Sequence, residues 1–271
     1  MRVQGDIILI HGMGCGGEVW GPMQATLEAQ CWRCTAPTLL PAERPVAPAA
    51  DARPPKVTLT DYIADARSHC EAVAARSRRK PIVIGHSLGG LIALALASEG
   101  ACSKAVCITP APPRGIANRT PWSMVLYANV LLSGKQDRYH KAWPFGVSQV
   151  LLNNVPNALR AGIYANMRYE PGWVFADMMQ GLPLDPSDFA VPLLLVSAGR
   201  DRIVPPKVVA ATARRYQSAL QHYPDHGHWI IDEPDNQTMV EDVLRWLSTE
   251  PQPQTHYPVP SEGQLRRAFQ A

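Results

Sequence analysis

Four stretches of the chain are almost continuously apolar: Ile7–Ile10, Pro81–Ile84, Ala105–Thr109 and Val191–Ser197. Each has the length of a strand, and an apolar run without alternation is what a strand buried on both faces shows. A fifth strand-like stretch, Leu220–Tyr223, follows later. Between these runs the period changes to that of a helix. Ile63, Ala66, Cys70 and Val73 recur at intervals of three and four behind a plausible cap at Thr60, and Met239, Val240, Val243, Leu244 and Leu247 form a second stripe. Strands alternating with helices predict an α/β fold: a doubly wound, mostly parallel sheet with helices on both faces. No internal repeat is visible.

One segment breaks the alternation. Residues 114–187 contain no buried-strand run and read as helix-like, with candidate helices at Trp122–Ser133, Ser148–Val155, Asn157–Met167 and Trp173–Gln180. The segment carries nine aromatic side chains together with Met124, Met167, Met178 and Met179. It is expected to be a helical insertion with its own small core, covering a site as a cap lined by adaptable apolar side chains. Residues 1–113 and 188–250 then form the core domain, and 251–271 a Pro-rich tail. Prolines also cluster between Pro37 and Pro55, where an ordered surface loop is expected.

Composition narrows the function classes. With 46% hydrophobic and 18% charged residues in 271, the chain is neither disordered nor a coiled coil. The net charge of +3 is weak, and no basic block exceeds Arg76, Arg78, Arg79 and Lys80, so nucleic-acid binding has little support. No apolar run has the length of a membrane span, and no signal peptide is evident, so a cytoplasmic protein without a membrane partner is expected. The six cysteines do not form a disulfide framework in a chain this long. The pair Cys31-Trp32-Arg33-Cys34 has redox spacing, but it sits at a strand entrance rather than at a helix start.

The sharpest chemical signal is Gly85-His86-Ser87-Leu88-Gly89-Gly90, placed directly after one predicted strand and opening the helical run Leu88–Ala97. A serine on such a turn is strained and exposed, and the glycines make room for the neighbouring elements. A serine hydroxyl needs a base, and the base needs an orienting acid. Of eight histidines, His228 in Asp225-His226-Gly227-His228-Trp229 falls between the last strand and the last helix, with His226 as its rival. Asp201, just past the strand Val191–Ser197, lies where open α/β sheets bind ligands; Asp225 and Asp232 are closer to His228 in sequence, but that proximity need not allow an Nδ1 hydrogen bond. The turn His11-Gly12-Met13-Gly14-Cys15-Gly16-Gly17 follows the first strand and offers backbone N–H donors to a developing oxyanion. It lacks the Lys-Ser/Thr ending of a phosphate loop and does not fit the dinucleotide fingerprint.

In the order Ser, Asp, His, with the His11-Gly12 turn, the Gly85–Gly89 elbow, the Gly199-x-Asp201 strand end and the Gly227-His228 loop, the chain resembles the α/β-hydrolase superfamily over about residues 5–250. The resemblance implies Ser87 as nucleophile, Asp201 as acid and His228 as base, with the Met13 and Leu88 N–H groups as the oxyanion hole. It places 114–187 as the cap after the sixth family strand, and implies that the first strand or two of the family are missing or abbreviated. It implies a cofactor-free, metal-free carboxylesterase acting on small to medium apolar esters through an acyl-enzyme. Trp122, Tyr164, Trp173, Met178 and Trp229 are expected to line its pocket. A lactonase (for example on acyl-homoserine lactones), a thioesterase, an acyltransferase or a carbon–carbon bond hydrolase would use the same triad, and a small-molecule receptor would use the same fold. Oligomeric state is not legible in the sequence.

Overall fold

In the first strand, β1 (Gly5–Ile10), the side chains of Ile7 and Leu9 enter one apolar cluster while Ile8 and Ile10 enter another. That division, repeated along the sheet by the two-residue period of a strand, gives the molecule its two apolar layers. The computed structural model describes residues 3–249; the expected tail at 251–271 lies outside them. β1 is followed by α1 (Gly21–Ala29), β2 (Trp32–Thr35), α2 (Leu59–Ser77), β3 (Ile82–His86), α3 (Leu88–Ser98) and β4 (Lys104–Ile108). The 114–187 segment comes next. It holds α4 (Pro121–Leu126), α5 (Ala128–Ser133), β5 (Tyr139–His140), α6 (Pro144–Gly146), a π-helical turn (Val147–Leu151), α7 (Asn157–Asn166), β6 (Glu170–Pro171) and α8 (Gly172–Gln180). The chain then returns to β7 (Leu193–Ala198), α9 (Pro206–Arg215), β8 (Ala219–Tyr223) and α10 (Gln237–Leu247).

The main sheet has the order β2-β1-β3-β4-β7-β8, with every neighbouring pair parallel. Helices α2, α3 and α9 pack on the face that carries Ile8 and Ile10; α1 and α10 pack on the opposite face. The chain runs outward from β1 to β2 and then resumes on the other side of β1 with β3. The carboxyl ends of β1 and β3 therefore flank a crevice where strand order reverses, the position at which open α/β sheets bind ligands.

Several local expectations shift. The cap of α2 is Thr58, not Thr60: Asp61 accepts from both the Thr58 N–H and its hydroxyl, each at 2.7 Å, closing a capping box. The expected helix Trp122–Ser133 divides at Tyr127, whose backbone leaves the helical region (φ −107°, ψ 18°). The segment also contains a strand pair, β5 against β6, too short to show as an apolar run. Burial pushes the Cys34 thiol up to about 12, away from the lowered range of reactive redox thiols. Among the described residues no helix is long and apolar enough to cross a membrane.

Candidate active site

Ser87 sits at the junction of β3 and α3 with φ 55° and ψ −116°, a conformation that L-residues adopt only when the surroundings enforce it. Enforcement comes from both sides of the residue. The Ser87 N–H donates to the Ile108 carbonyl at the end of β4, and the Ser87 carbonyl accepts from the N–H groups of Gly90, Leu91 and Ala111. The turn can close this tightly only without side chains: a Cβ on Gly85 would lie 2.0 Å from the Gly89 carbonyl oxygen, and one on Gly89 would lie 2.1 Å from that of Ile10. Strand β3 and helix α3 thus project the hydroxyl into the crevice.

Two other strand ends meet it there. His228 Nε2 lies 2.9 Å from Ser87 Oγ, and His228 Nδ1 lies 2.8 Å from Asp201 Oδ2. Asp201 follows β7, and its second oxygen, Oδ1, accepts from the N–H groups of Ile203 and Val204 at 2.7 and 2.9 Å. Both the imidazole and the carboxylate side chains are fully buried. A carboxylate so placed keeps the Nδ1 proton on its side of the ring, leaving Nε2 free to accept a proton from the serine. Leu88 is the first residue of α3, so its N–H belongs to the helix-start donors that have no intrahelical acceptor. Met13, on the turn after β1, lines the same enclosed cavity as Ser87 and His228. Its other walls include Leu126, Tyr127, Leu151, Met167, Phe175 and Trp229. A second, more open groove also reaches Ser87 and is lined by Pro112, Ile116, Met178, Ile203 and Val204. Among the described residues no group of three His, Cys, Asp or Glu side chains is placed to hold a metal ion.

A sequence model of the alpha/beta hydrolase family matches residues 7–238. The chain belongs to the alpha/beta hydrolase family. Its fold is similar to that of a methylesterase from Arabidopsis, at 17% identity with 90% of this chain and 98% of that one covered and a TM-score of 0.68. It is likewise similar to a pyrethroid hydrolase from Sphingobium faniae (20% identity, 89% and 96% covered, TM-score 0.66). Tomato methylketone synthase I is a third such structure (17% identity, 91% and 98% covered, TM-score 0.68). At these identities the likeness is one of fold. No curated protein sequence matches the chain.

In this alpha/beta hydrolase the rival site residues have other partners. His226 Nδ1 is 3.1 Å from Glu233 Oε2, and Glu233 also accepts from the Gly227 N–H, so the pair shapes the loop that presents His228. Asp225 is paired with Arg200 at the surface. Of the five side chains expected in the pocket, Trp229 lines the enclosed cavity and Met178 the groove. Trp122, Tyr164 and Trp173 lie outside both, each ring facing a cation: Arg202 over Trp122, Lys141 over Tyr164 and Lys56 over Trp173. Indole and phenol rings are apolar bodies with polar tips, so a half-exposed place beneath a cation suits them as well as a pocket does. Leu126, Tyr127, Leu151 and Phe175 take the expected places instead, from turns of helix whose facing direction the sequence period did not resolve.

Two buried histidines complete the surroundings. His86 donates its Nε2–H to the His228 carbonyl at 2.8 Å, while Thr109 Oγ1 donates to the same oxygen at 3.3 Å, anchoring the backbone of the base. Burial, assisted by His228, pushes His86 down to about 3; burial, assisted by Arg44, also holds His11 well below the usual histidine range. Both are neutral when folded, whereas in the unfolded chain they take up protons below about pH 6.5. Protons therefore favour the unfolded state. The contribution of these two groups to stability is full above about pH 6.5 and falls as pH drops below it, through the range down to about 3 for His86. Thermal midpoints at pH 7.5, 6 and 5 are expected to decline in that order, and a midpoint constant across the series would contradict the neutral assignment.

Proposed function

We propose that the chain is a serine hydrolase that cleaves carboxylic esters of small to medium apolar substrates through an acyl-enzyme. The observation that carries the reading is the buried relay from Asp201 through His228 to Ser87, at 2.8 and 2.9 Å, with its serine on a strained strand-to-helix turn. Ser87 Oγ attacks the ester carbonyl while His228 Nε2 takes its proton. The oxyanion that forms is met by the Met13 and Leu88 N–H groups. As the tetrahedral adduct collapses, His228 returns the proton to the departing alkoxide, and the alcohol leaves. Water then attacks the acyl-serine with His228 again as base, releasing the acid and restoring the hydroxyl. Preorganised donors of the oxyanion type are worth ~10²–10³ in turnover each.

The 114–187 segment acts in this reading as the cap, supplying Leu126, Tyr127, Met167, Phe175 and Met178 to the two spaces beside Ser87. Apolar walls contribute ~25 cal/mol for each Å2 of apolar ligand surface that they cover, so added methylenes raise affinity while room remains. The enclosed side of the site sets a limit, because longer chains must displace the cap. The family resemblance and the named activities of the similar structures, a methylesterase and a pyrethroid hydrolase, support ester cleavage as the chemistry. A turnover profile of aryl esters from two to sixteen acyl carbons, run beside simple and acyl-homoserine lactones, tests the proposal. Turnover is expected to peak at short to medium chains. A steady rise to sixteen carbons with activation at an oil–water interface would mark a lipase with a mobile lid. Faster turnover of the lactones would mark a lactonase, and none across the panel would leave a binding protein.

A further inference from the structure

Beneath the turn that follows β1 lies a charged cluster that the relay does not use. Glu170, 1% exposed, and Arg44, 0% exposed, form an ion pair between the 114–187 segment and the Pro-rich loop after β2. The carboxylate is saturated. Oε1 accepts from Arg44 Nη2 at 2.6 Å and from the Gly14 N–H at 2.5 Å, and Oε2 accepts from Arg44 Nε at 2.9 Å and from the Tyr62 hydroxyl. The guanidinium is used as fully, donating to the carbonyls of Cys15 and Leu39 at 2.7 and 2.9 Å and approaching His11 Nε2 at 3.2 Å. His11 Nε2 also accepts from the Leu39 N–H, which leaves its proton on Nδ1, facing the Gly12 carbonyl at 2.8 Å.

These contacts converge on three residues of the turn, Gly12, Gly14 and Cys15, on either side of Met13. The Gly12 carbonyl is held by His11 and by the Cys15 N–H, the Gly14 N–H by Glu170, the Gly14 carbonyl by the Arg168 N–H, and the Cys15 carbonyl by Arg44. Gly14 itself has φ +74°, and a Cβ there would lie 2.8 Å from the Met167 methyl. The one N–H of the turn that lies between these fixed points is that of Met13. We propose that Glu170 is a positioning residue for the oxyanion turn: its carboxylate, delivered by the 114–187 segment, fixes Gly14 and so holds the Met13 N–H in its productive direction. This rests on the ester-hydrolase reading above. It adds that the turn is competent only while the segment is seated, because Met167, Arg168 and Glu170 lie against Gly14. A catalytic donor displaced by about 1 Å can lose on the order of 10² in rate, so these residues have leverage far beyond their own contacts.

Removing one partner of a buried ion pair leaves a charge stranded, so single variants confuse folding with positioning. Two uncharged pairs separate them. Arg44→Met with Glu170→Gln keeps an acceptor for the Gly14 N–H; Arg44→Met with Glu170→Leu does not. Both lose the same guanidinium contacts. With wild-type aryl-ester turnover as reference, kcat of the leucine pair is expected about 10²-fold below that of the glutamine pair, the weight of one oxyanion donor. KM should agree between the pairs, and the leucine pair, which strands the Gly14 N–H and the Tyr62 hydroxyl, should melt lower while remaining folded at the assay temperature. Affinity for a trifluoromethyl ketone, whose hemiketal oxygen occupies the oxyanion position, should fall in parallel with kcat. Equal kcat and equal ketone affinity in the two folded pairs would overturn the proposal. If neither pair folds, Tyr62→Phe decides: removal of one hydrogen bond to Oε2 is expected to lower kcat and ketone affinity roughly 2- to 10-fold, and no change in either would overturn it. A wild type without ester turnover would refute the hydrolase reading itself, a result separate from any difference between the pairs.

Discussion

Ser87→Ala leaves the fold intact and abolishes measurable ester turnover, with an expected loss of about 10⁴- to 10⁶-fold in kcat. The hydroxyl makes one side-chain hydrogen bond, to His228 Nε2, so its removal costs the structure little. The backbone bonds that enforce φ 55° at this position involve only main-chain atoms of residue 87 and are unchanged by the substitution. In the proposed mechanism catalysis by contrast loses the atom that forms the acyl-enzyme, and what survives is the contribution of oxyanion donors and binding alone. Steady-state turnover of a short aryl ester, thermal denaturation, and labelling by a fluorophosphonate probe check the three parts together. The wild type should label and the variant should not. Turnover within tenfold of wild type in a folded, unlabelled variant would remove Ser87 from its role.

The second large effect is expected at Asp201. In Asp201→Asn the side-chain oxygen has a fixed place, because Ile203 and Val204 both donate N–H groups to the Oδ1 position at 2.7 and 2.9 Å. The amide nitrogen must then occupy the Oδ2 position, 2.8 Å from His228 Nδ1. Two donors cannot face each other, so the imidazole shifts its proton to Nε2, the atom that has to accept from Ser87. The ring keeps its place and loses its function, with an expected loss of about 10⁴ in kcat near neutral pH. Asp225→Asn alters only a surface pair with Arg200, and Asp232→Asn a residue outside the relay; both should remain within a few-fold of wild type. Kinetics on the three variants under one set of conditions test the ranking, and a larger loss from Asp225→Asn would show that the acid had been assigned to the wrong strand end.

What could be read from the chain before its structure follows a physical rule. Ile7–Ile10, the run ending at Ile84 and Leu193–Val196 are buried on both faces, so burial itself writes a continuous apolar pattern into the sequence. Ser87, Asp201 and His228 were each legible because each follows a strand end, and strand ends of a parallel sheet come together whatever lies between them. Arg44 and Glu170 left no such mark. They stand 126 residues apart, one in a proline-rich loop and one in a two-residue strand, and neither element has a period that predicts where a side chain points. The aromatic side chains failed for a different reason. Residue type alone cannot tell a ring that lines a cavity from one lying beneath a cation, and Trp122, Tyr164 and Trp173 are of the second kind.

The 114–187 segment leaves after β4 and returns ahead of β7, and its two stems meet where the Arg114 N–H donates to the Leu182 carbonyl at 2.8 Å. Its two ends therefore attach side by side, and a piece of foreign chain could be spliced between them without disturbing any strand pairing. Such exchange is how one scaffold acquires new substrates across generations. Here the exchange carries a condition. On the positioning role proposed for Glu170, an incoming segment would have to bring its own acceptor for the Gly14 N–H and its own counter-ion for Arg44, or the host would inherit a new pocket above a silenced serine. Chimeras of this scaffold are accordingly best cut so that the proline-rich loop and the insertion are transferred as a matched set.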